Sequence, residues 1–145
     1  MLKYGLIHPP LLGALARCGH GSRILIADAN YPHVTGAPAA AERIYLNLAP
    51  GLLTVSQVLK LLLEAIPVES AIVTLNEAHE EPLVVAEYRQ LLPPGVAVQA
   101  LARFEYYEAV KSPDTCLVIA TGEQKLYANV LLVVGVVRPD GTAQY

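Results

Sequence analysis

The sequence predicts an α/β protein built on a mixed, mostly parallel sheet. Segments with helical periodicity alternate along the chain with short apolar runs, a pattern typical of helices that connect neighbouring strands. Because 54% of the chain is hydrophobic, we expect either a sheet covered on both faces or an oligomer with large apolar interfaces. With 145 residues the chain has the size of one ordinary domain, and we expect residues 1–145 to form one.

The first part of the chain is expected to contain a helix, a buried strand and a long loop. Apolar residues at helical spacing over 11–16 follow Pro9 and Pro10, which suit a first turn, and Gly19 is a natural end. The run "RILIAD" is too short for a helix and indicates a buried strand. Prolines, a glycine and small residues make "ANYPHVTGAPAAAERI" a loop, and "RIYLNLA", which alternates weakly, could be a strand.

The remaining elements alternate more regularly. The clearest helix is "TVSQVLKLLLEAIPV", which Thr54 or Ser56 could cap and which Pro67 should end. A strand in "SAIVTLN", a helix in "EPLVVAEYRQLLPPG" and a strand in "VAVQALA" follow. We expect a short helix in "RFEYYEAVKSP", a strand in "TCLVIATG" and one last long strand in "LYANVLLVVGVV".

Charge and composition exclude several classes of protein. The formal net charge is −3 and no block of Lys or Arg occurs, so a nucleic-acid partner is not expected. No apolar stretch approaches the ~20 residues of a membrane-spanning helix, and the proline-broken N-terminus is not typical of a signal peptide. We expect a cytoplasmic protein in which Cys18 and Cys116 are buried free thiols rather than a redox pair or metal ligands.

Groups that can carry a proton stand at both ends of the first predicted strand. His20 lies between two glycines and is either a proton-transfer residue or an ordinary loop histidine. Asp28 ends the strand and is either a loop cap or a site residue. His33 could approach the same crevice or lie exposed in its loop. These three residues lack the spacing of metal ligands, so we predict no metal, and no phosphate-binding or dinucleotide-binding motif suggests another cofactor.

Two further segments carry polar groups suited to a ligand. At strand spacing Tyr127 and Asn129 would point to one face, where a phenol and a carboxamide suit a polyhydroxylated ligand; the alternative is a cross-strand aromatic beside a polar edge residue. In "RFEYYE", Arg103 could bind sugar hydroxyls or a carboxylate, or could form a surface ion pair with a nearby glutamate.

Taken together, "GHGSRILIADANYP", "RFEYYE" and "TGEQKLYANVLLVVGV" resemble the RbsD/FucU family of sugar mutarotases in order and spacing. The resemblance extends from the N-terminus nearly to Pro139. It implies a three-layer α/β/α sandwich and ring-like homo-oligomers, often decamers, with sites near subunit interfaces. Arg103 stands where the fucose branch of the family has arginine and the ribose branch has histidine, which favours the fucose branch.

The resemblance also implies roles for individual residues. His20 matches the catalytic histidine, Asp28 a sugar-binding aspartate, and Tyr127 and Asn129 a sugar-binding pair. Ser22 departs from the pattern, because an acidic residue usually follows "GHG" in the family.

The expected reaction is anomer exchange of a monosaccharide by acid/base ring opening and closure. His20 would be the main acid/base and Tyr127 the second proton relay, with both flanks of the strand folded toward one pocket. The alternative is a sugar-binding or regulatory protein of the same fold without turnover.

Overall fold

The computed structural model describes residues 2–144 and contains four helices and eight strands in that range. The helices are α1 (Pro9–Leu15), α2 (Val55–Leu63), α3 (Val84–Leu91) and α4 (Arg103–Val110). The strands are β1 (Arg23–Ala27), β2 (Glu42–Tyr45), β3 (Val68–Thr74), β4 (Ala97–Leu101), β5 (Thr115–Ala120), β6 (Val130–Val134), β7 (Val136–Val137) and β8 (Ala143–Gln144). Within the described range, no helix is long and apolar enough to cross a membrane.

Six strands form one mixed sheet in the order β2-β5-β1-β6-β3-β4. Strand β6 runs antiparallel to β1 and β3, whereas the pairs β1–β5, β2–β5 and β3–β4 are parallel. The prediction of a mixed, mostly parallel sheet is therefore confirmed. Because β6 runs the other way, the segment before β6 lies at the same edge of the sheet as the carboxyl ends of the five parallel strands.

Alternation along the central strands sorts apolar side chains into two cores. Ile24 and Ile26 of β1 belong to the core under α1, α2 and α3. Leu25 and Ala27 belong to a second core with Tyr106 of α4 and the loop between β1 and β2. Helices therefore cover both faces, which confirms the three-layer sandwich and explains why the central strands are almost wholly apolar.

Local sequence signals account for the starts of α1 and α2. Pro9 and Pro10 open α1, and the His8 imidazole caps it by accepting a hydrogen bond from the Leu11 N–H at 3.2 Å. Thr54, rather than Ser56, caps α2 in a capping box with Gln57.

The structure corrects one strand boundary and the expected burial of the two cysteines. The predicted last long strand is divided, since β6 begins only at Val130 and β7 holds two residues beyond Gly135. The two cysteines are free, but they are half-buried rather than buried, and they touch each other across 98 residues of sequence.

Candidate functional site

The carboxyl edge of the sheet holds a buried pair formed by Asp28 and Asn129. The Asn129 side-chain amide donates to the Asp28 carboxylate at 2.9 Å, and the Asp28 main-chain N–H donates to the Asn129 oxygen, also at 2.9 Å. The two side chains meet because β1 ends where the antiparallel β6 begins. Burial raises the pKa of Asp28 above its ordinary value, although hydrogen bonds from Asn30 and Asn129 partly oppose that shift.

A turn supports Asp28 from the next strand over. The Thr121 hydroxyl donates to the Ala27 carbonyl at 2.8 Å, and the Ala29 N–H donates to the Glu123 carbonyl at 2.9 Å. Between them, Gly122 packs so closely that an added Cβ would lie 2.2 Å from the Leu52 carbonyl oxygen. The backbone around Asp28 is therefore held on both sides.

Tyr127 reaches this edge from a left-handed turn. Its φ angle is 59°, and it precedes β6 instead of lying on a strand. The expectation that Tyr127 and Asn129 share a strand face is therefore wrong, although the turn still brings both side chains to one cavity. The pKa of the Tyr127 phenol is raised, mainly by desolvation and to a smaller extent by a hydrogen bond with Glu77.

Arg103 approaches from the first turn of α4. Its Nε donates to the Tyr107 hydroxyl at 3.3 Å, and its guanidinium carbon lies 5.6 Å from the centre of the Tyr107 ring. Arg103 and Tyr107 are four residues apart, so they lie on the same face of the helix. Arg103 therefore contacts Tyr107 and not a nearby glutamate, which the sequence alone also allowed. The remaining N–H donors of its guanidinium are available to the cavity.

These side chains surround one small open cavity of about 140 Å³. A carboxylate, a carboxamide, a guanidinium and phenol groups line it, so it offers both donors and acceptors to a small polyhydroxylated molecule. The Tyr31 and Tyr107 rings meet edge to face at 5.7 Å and form an aromatic wall. The lining residues are Asp28, Asn30, Tyr31, Arg103, Tyr107, Leu126, Tyr127 and Asn129.

His20 is not among them, because it lies at the opposite edge of the sheet. It precedes β1 whereas Asp28 follows it, and five strand residues alone span about 16 Å. The prediction that both flanks of this strand fold toward one pocket is therefore wrong for a single chain.

The His20 side chain is 61% exposed and pairs with Glu69 near the start of β3, with 3.0 Å between Nε2 and the carboxylate oxygen. Since an ionised carboxylate only accepts hydrogen bonds, Nε2 carries a proton in this pair and Nδ1 faces away from it. The Ser22 hydroxyl instead accepts a hydrogen bond from the Gly19 N–H at 3.1 Å.

The other histidines have different surroundings. His33 is half-buried, and its Nε2 lies 2.9 Å from the Asp28 main-chain oxygen, so it contacts the Asp28 loop without lining the cavity. His20 is too far away to join Asp28 and His33 around one ion. His8 caps α1, and His79 is exposed in a loop at φ 58°.

Sequence reasoning missed Tyr31, Tyr107 and Glu69. The i to i+4 spacing of Arg103 and Tyr107 was a readable signal for the second of these. Glu69 had no local signal. It meets His20 only because β6 separates β1 from β3, so that Gly21 and Val68 both pair with Val134.

The fold and the cavity define an α/β protein with a small polar site at the carboxyl edge of its sheet. A model of the RbsD / FucU transport protein family matches residues 1–137. The chain is 35% identical over 144 residues to the fucose mutarotase of Homo sapiens, and this alignment covers 90% of each chain. It is also 35% identical over 136 residues to the D-ribose pyranase of Paracidovorax citrulli, which covers 94% of this chain and 98% of the relative.

A solved structure gives the same answer. Bacillus subtilis RbsD complexed with D-ribose matches with a TM-score of 0.81 at 30% identity, covering 95% of this chain and 100% of that one. This chain belongs to the RbsD/FucU family, and the resemblance that its motifs indicated is confirmed.

Proposed function

We propose that residues 1–145 form one monosaccharide mutarotase domain, an isomerase that exchanges the anomers of a sugar such as L-fucose or D-ribose. The observation that carries this proposal is the polar cavity of Asp28, Arg103, Tyr127 and Asn129 in a chain related to a fucose mutarotase and a D-ribose pyranase. Arginine at position 103 favours L-fucose over D-ribose as the better substrate.

The cavity suits a sugar ring in polarity. The Asp28 carboxylate would accept hydrogen bonds from sugar hydroxyls, while Asn129 holds that carboxylate in one orientation at 2.9 Å. Arg103 would donate to ring hydroxyls, and the Tyr107 ring beneath its guanidinium keeps that side chain in place. Such fixed partners reduce the entropy that ring binding would otherwise cost.

Ring opening needs an acid near the ring oxygen and a base near the anomeric hydroxyl, and the two exchange roles on ring closure. Tyr127 can supply one of these groups, because its phenol lines the cavity and carries a proton that it can donate. The proposed main acid/base is His20, which reaches no cavity residue of its own chain.

We therefore propose that His20 of a second copy lies at the cavity in a homo-oligomer. The specific form that we propose is a decamer in the cytoplasm. Large apolar side chains exposed beside the cavity support this assembly. Phe104 is 77% exposed and Leu126 is 64% exposed, and a neighbouring copy would cover both. His20 itself is exposed at the far edge, where it is available to a neighbour.

Glu69 would act as a positioning residue for His20. By accepting a hydrogen bond from the Nε2–H group, it leaves Nδ1 free to take a proton from the sugar. It also supplies the acidic partner that the sequence lacks at Ser22, and it stabilises the charged imidazolium once the proton has arrived.

Saturation-transfer proton NMR on L-fucose and on D-ribose tests the proposal. The native protein should speed exchange between anomer signals, and His20→Ala should lower that rate by about 10² to 10⁴ while the oligomer stays assembled. If His20→Ala keeps full activity, Asp28 and Tyr127 carry the chemistry within one chain. Saturable sugar binding without faster exchange would instead identify a sugar-binding protein.

A further inference from the structure

A pair of thiols lies far from the polar cavity and takes no part in the proposed reaction. The sulfur of Cys18, just beyond the end of α1, is 3.4 Å from the sulfur of Cys116 in β5. Cys116 follows Thr115, which pairs with Arg23 at the amino end of the parallel strand β1, and Cys18 lies five residues before Arg23.

The two sulfurs are open to small reagents. Both cysteines are half-buried, and both line a surface cavity of about 160 Å³ with Arg17 and Glu42 at its rim. Each sulfur also lies near a main-chain carbonyl oxygen, at 3.4 Å for Cys18 with Ala14 and 3.6 Å for Cys116 with Arg23. Disulfide formation therefore exchanges weak sulfur contacts and leaves no strong hydrogen bond unsatisfied.

The two thiols differ in acidity. The hydrogen bond between the two sulfurs, in which either can be the donor, lowers the pKa of Cys116 and raises the pKa of Cys18. In such a pair, the sulfur with the lower pKa can attack an oxidant, and the neighbouring thiol can then attack the oxidised sulfur to form a disulfide.

We propose that Cys18 and Cys116 form an oxidation site that reacts with hydroperoxides and closes to an intramolecular disulfide. The Cys116 thiolate attacks one peroxide oxygen, the O–O bond breaks, and hydroxide or alkoxide leaves and takes up a proton. The product is a sulfenic acid on Cys116. The Cys18 thiol then loses its proton and attacks the Cys116 sulfur, the S–O bond breaks, and water leaves. Two thiols and one hydroperoxide thus give one disulfide, one water and one water or alcohol.

The structure needs little movement to reach the product. The sulfurs must approach from 3.4 Å to about 2.0 Å, and Cys18 lies in the segment after α1 rather than inside a regular element. The new disulfide would link the segment after α1 covalently to β5 at Cys18, which lies two residues before His20. The inference stands independently of the proposed sugar chemistry, because it uses neither the cavity nor a sugar.

In the experiment, the 145-residue chain is treated with a small excess of hydrogen peroxide at neutral pH and then alkylated with N-ethylmaleimide. We expect an intact mass lower by two hydrogen atoms, no alkylation, and a tryptic fragment that links residues 18–23 to residues 112–125. In the untreated protein, Cys116 should be alkylated at least about tenfold faster than Cys18.

Two variants separate the steps. Cys18→Ser should leave a sulfenic acid on Cys116 that dimedone captures, while Cys116→Ser should react with peroxide at least about tenfold more slowly. Circular dichroism checks that both variants fold, and the peptide map of the native chain needs no variant at all. The proposal is overturned if peroxide leaves both native cysteines open to alkylation, or if the disulfide joins two chains instead of one.

Discussion

The two ends of β1 differ in almost every physical respect. At its carboxyl end Asp28 is 3% exposed and hydrogen-bonded to a neighbouring loop and to Asn129. At its amino end the His20 side chain is 61% exposed and has one side-chain hydrogen bond, with Glu69. Under the proposed function, the buried end would hold a sugar in a fixed place and the exposed end would enter the cavity of a neighbouring copy.

This contrast is what a shared active site requires. Binding groups gain from being preorganised within one chain, since their orientation is set before the sugar arrives. A proton-transfer group delivered by a neighbour must remain exposed until assembly occurs. The four predictions below test that division, beginning with the largest expected effect.

The largest effect should come from co-expressing two inactive variants. If each site combines His20 of one copy with Asp28 of another, His20→Ala and Asp28→Asn subunits should together regain about a quarter of the native sites in a randomly mixed ring. Each variant alone should lose at least about 10² of the exchange rate. Anomer exchange by NMR measures the recovery, with a mixture of two His20→Ala preparations as the control. No recovery in a ring that is shown to be mixed would place the whole reaction within one chain.

Matched glycine substitutions should show the difference in rigidity between the two edges. An alanine at Gly122 would push its Cβ to 2.2 Å from the Leu52 carbonyl oxygen, while nothing lies within 4 Å at Gly19 beside His20. We expect Gly122→Ala to lower the free energy of unfolding by about 3 kcal/mol and Gly19→Ala by less than about 1 kcal/mol. Urea denaturation followed by circular dichroism measures both, and equal losses would contradict the contrast.

The buried carboxylate should leave a signature in the pH dependence of stability. Burial raises the folded-state pKa of Asp28 above the ordinary value of 3.8, so the folded chain holds that proton more tightly than the unfolded chain. The stabilising effect of protonated Asp28 is therefore complete below pH 3.8 and is lost as pH rises through the folded pKa.

The measurement compares the native chain with Asp28→Asn, whose side chain does not titrate. The free energy of unfolding of the native chain should fall relative to that of the variant as pH rises from acid toward neutral, by about 1.4 kcal/mol for each unit of pKa difference. A difference that does not change with pH would show that the hydrogen bonds from Asn30 and Asn129 cancel the effect of burial.

The smallest effect should come from Glu69. Glu69→Gln removes the charge that fixes the His20 tautomer, so we expect kcat to fall about tenfold with KM unchanged and with less than about 0.5 kcal/mol lost in stability. Nitrogen-15 NMR should show the His20 proton on Nε2 in the native chain and distributed over both nitrogens in the variant. Glu108→Gln, which removes an equal charge beside Lys111, is the control and should change neither readout. A fall in stability with kcat unchanged would assign Glu69 a purely structural role.

Much of this architecture can be read from local signals. Alternating helices and apolar strands predicted the sandwich because each element must bury its own apolar face. Thr54 and the Pro9–Pro10 pair marked helix starts by the hydrogen-bonding needs of a first turn. Asp28 was found for a similar reason, since a carboxylate directly after a buried strand stands at a sheet edge.

The prediction failed where a contact depended on strand order. Local spacing suggested that Tyr127 lay on a strand, whereas a positive φ angle turns it into the cavity. No local pattern joined His20 to Glu69 or Cys18 to Cys116, because the first pair meets across β6 and the second spans 98 residues.

The sequence by itself determined the layers, the family and the groups able to carry protons, because periodicity, caps and motifs are properties of neighbouring residues. The tertiary structure alone decided which of those groups meet. Strand β1 separates His20 from Asp28, and the antiparallel β6 carries Asn129 and Tyr127 to the Asp28 edge. The physical reason is that hydrogen-bonded strand order fixes distances between residues remote in sequence, and no local interaction encodes that order.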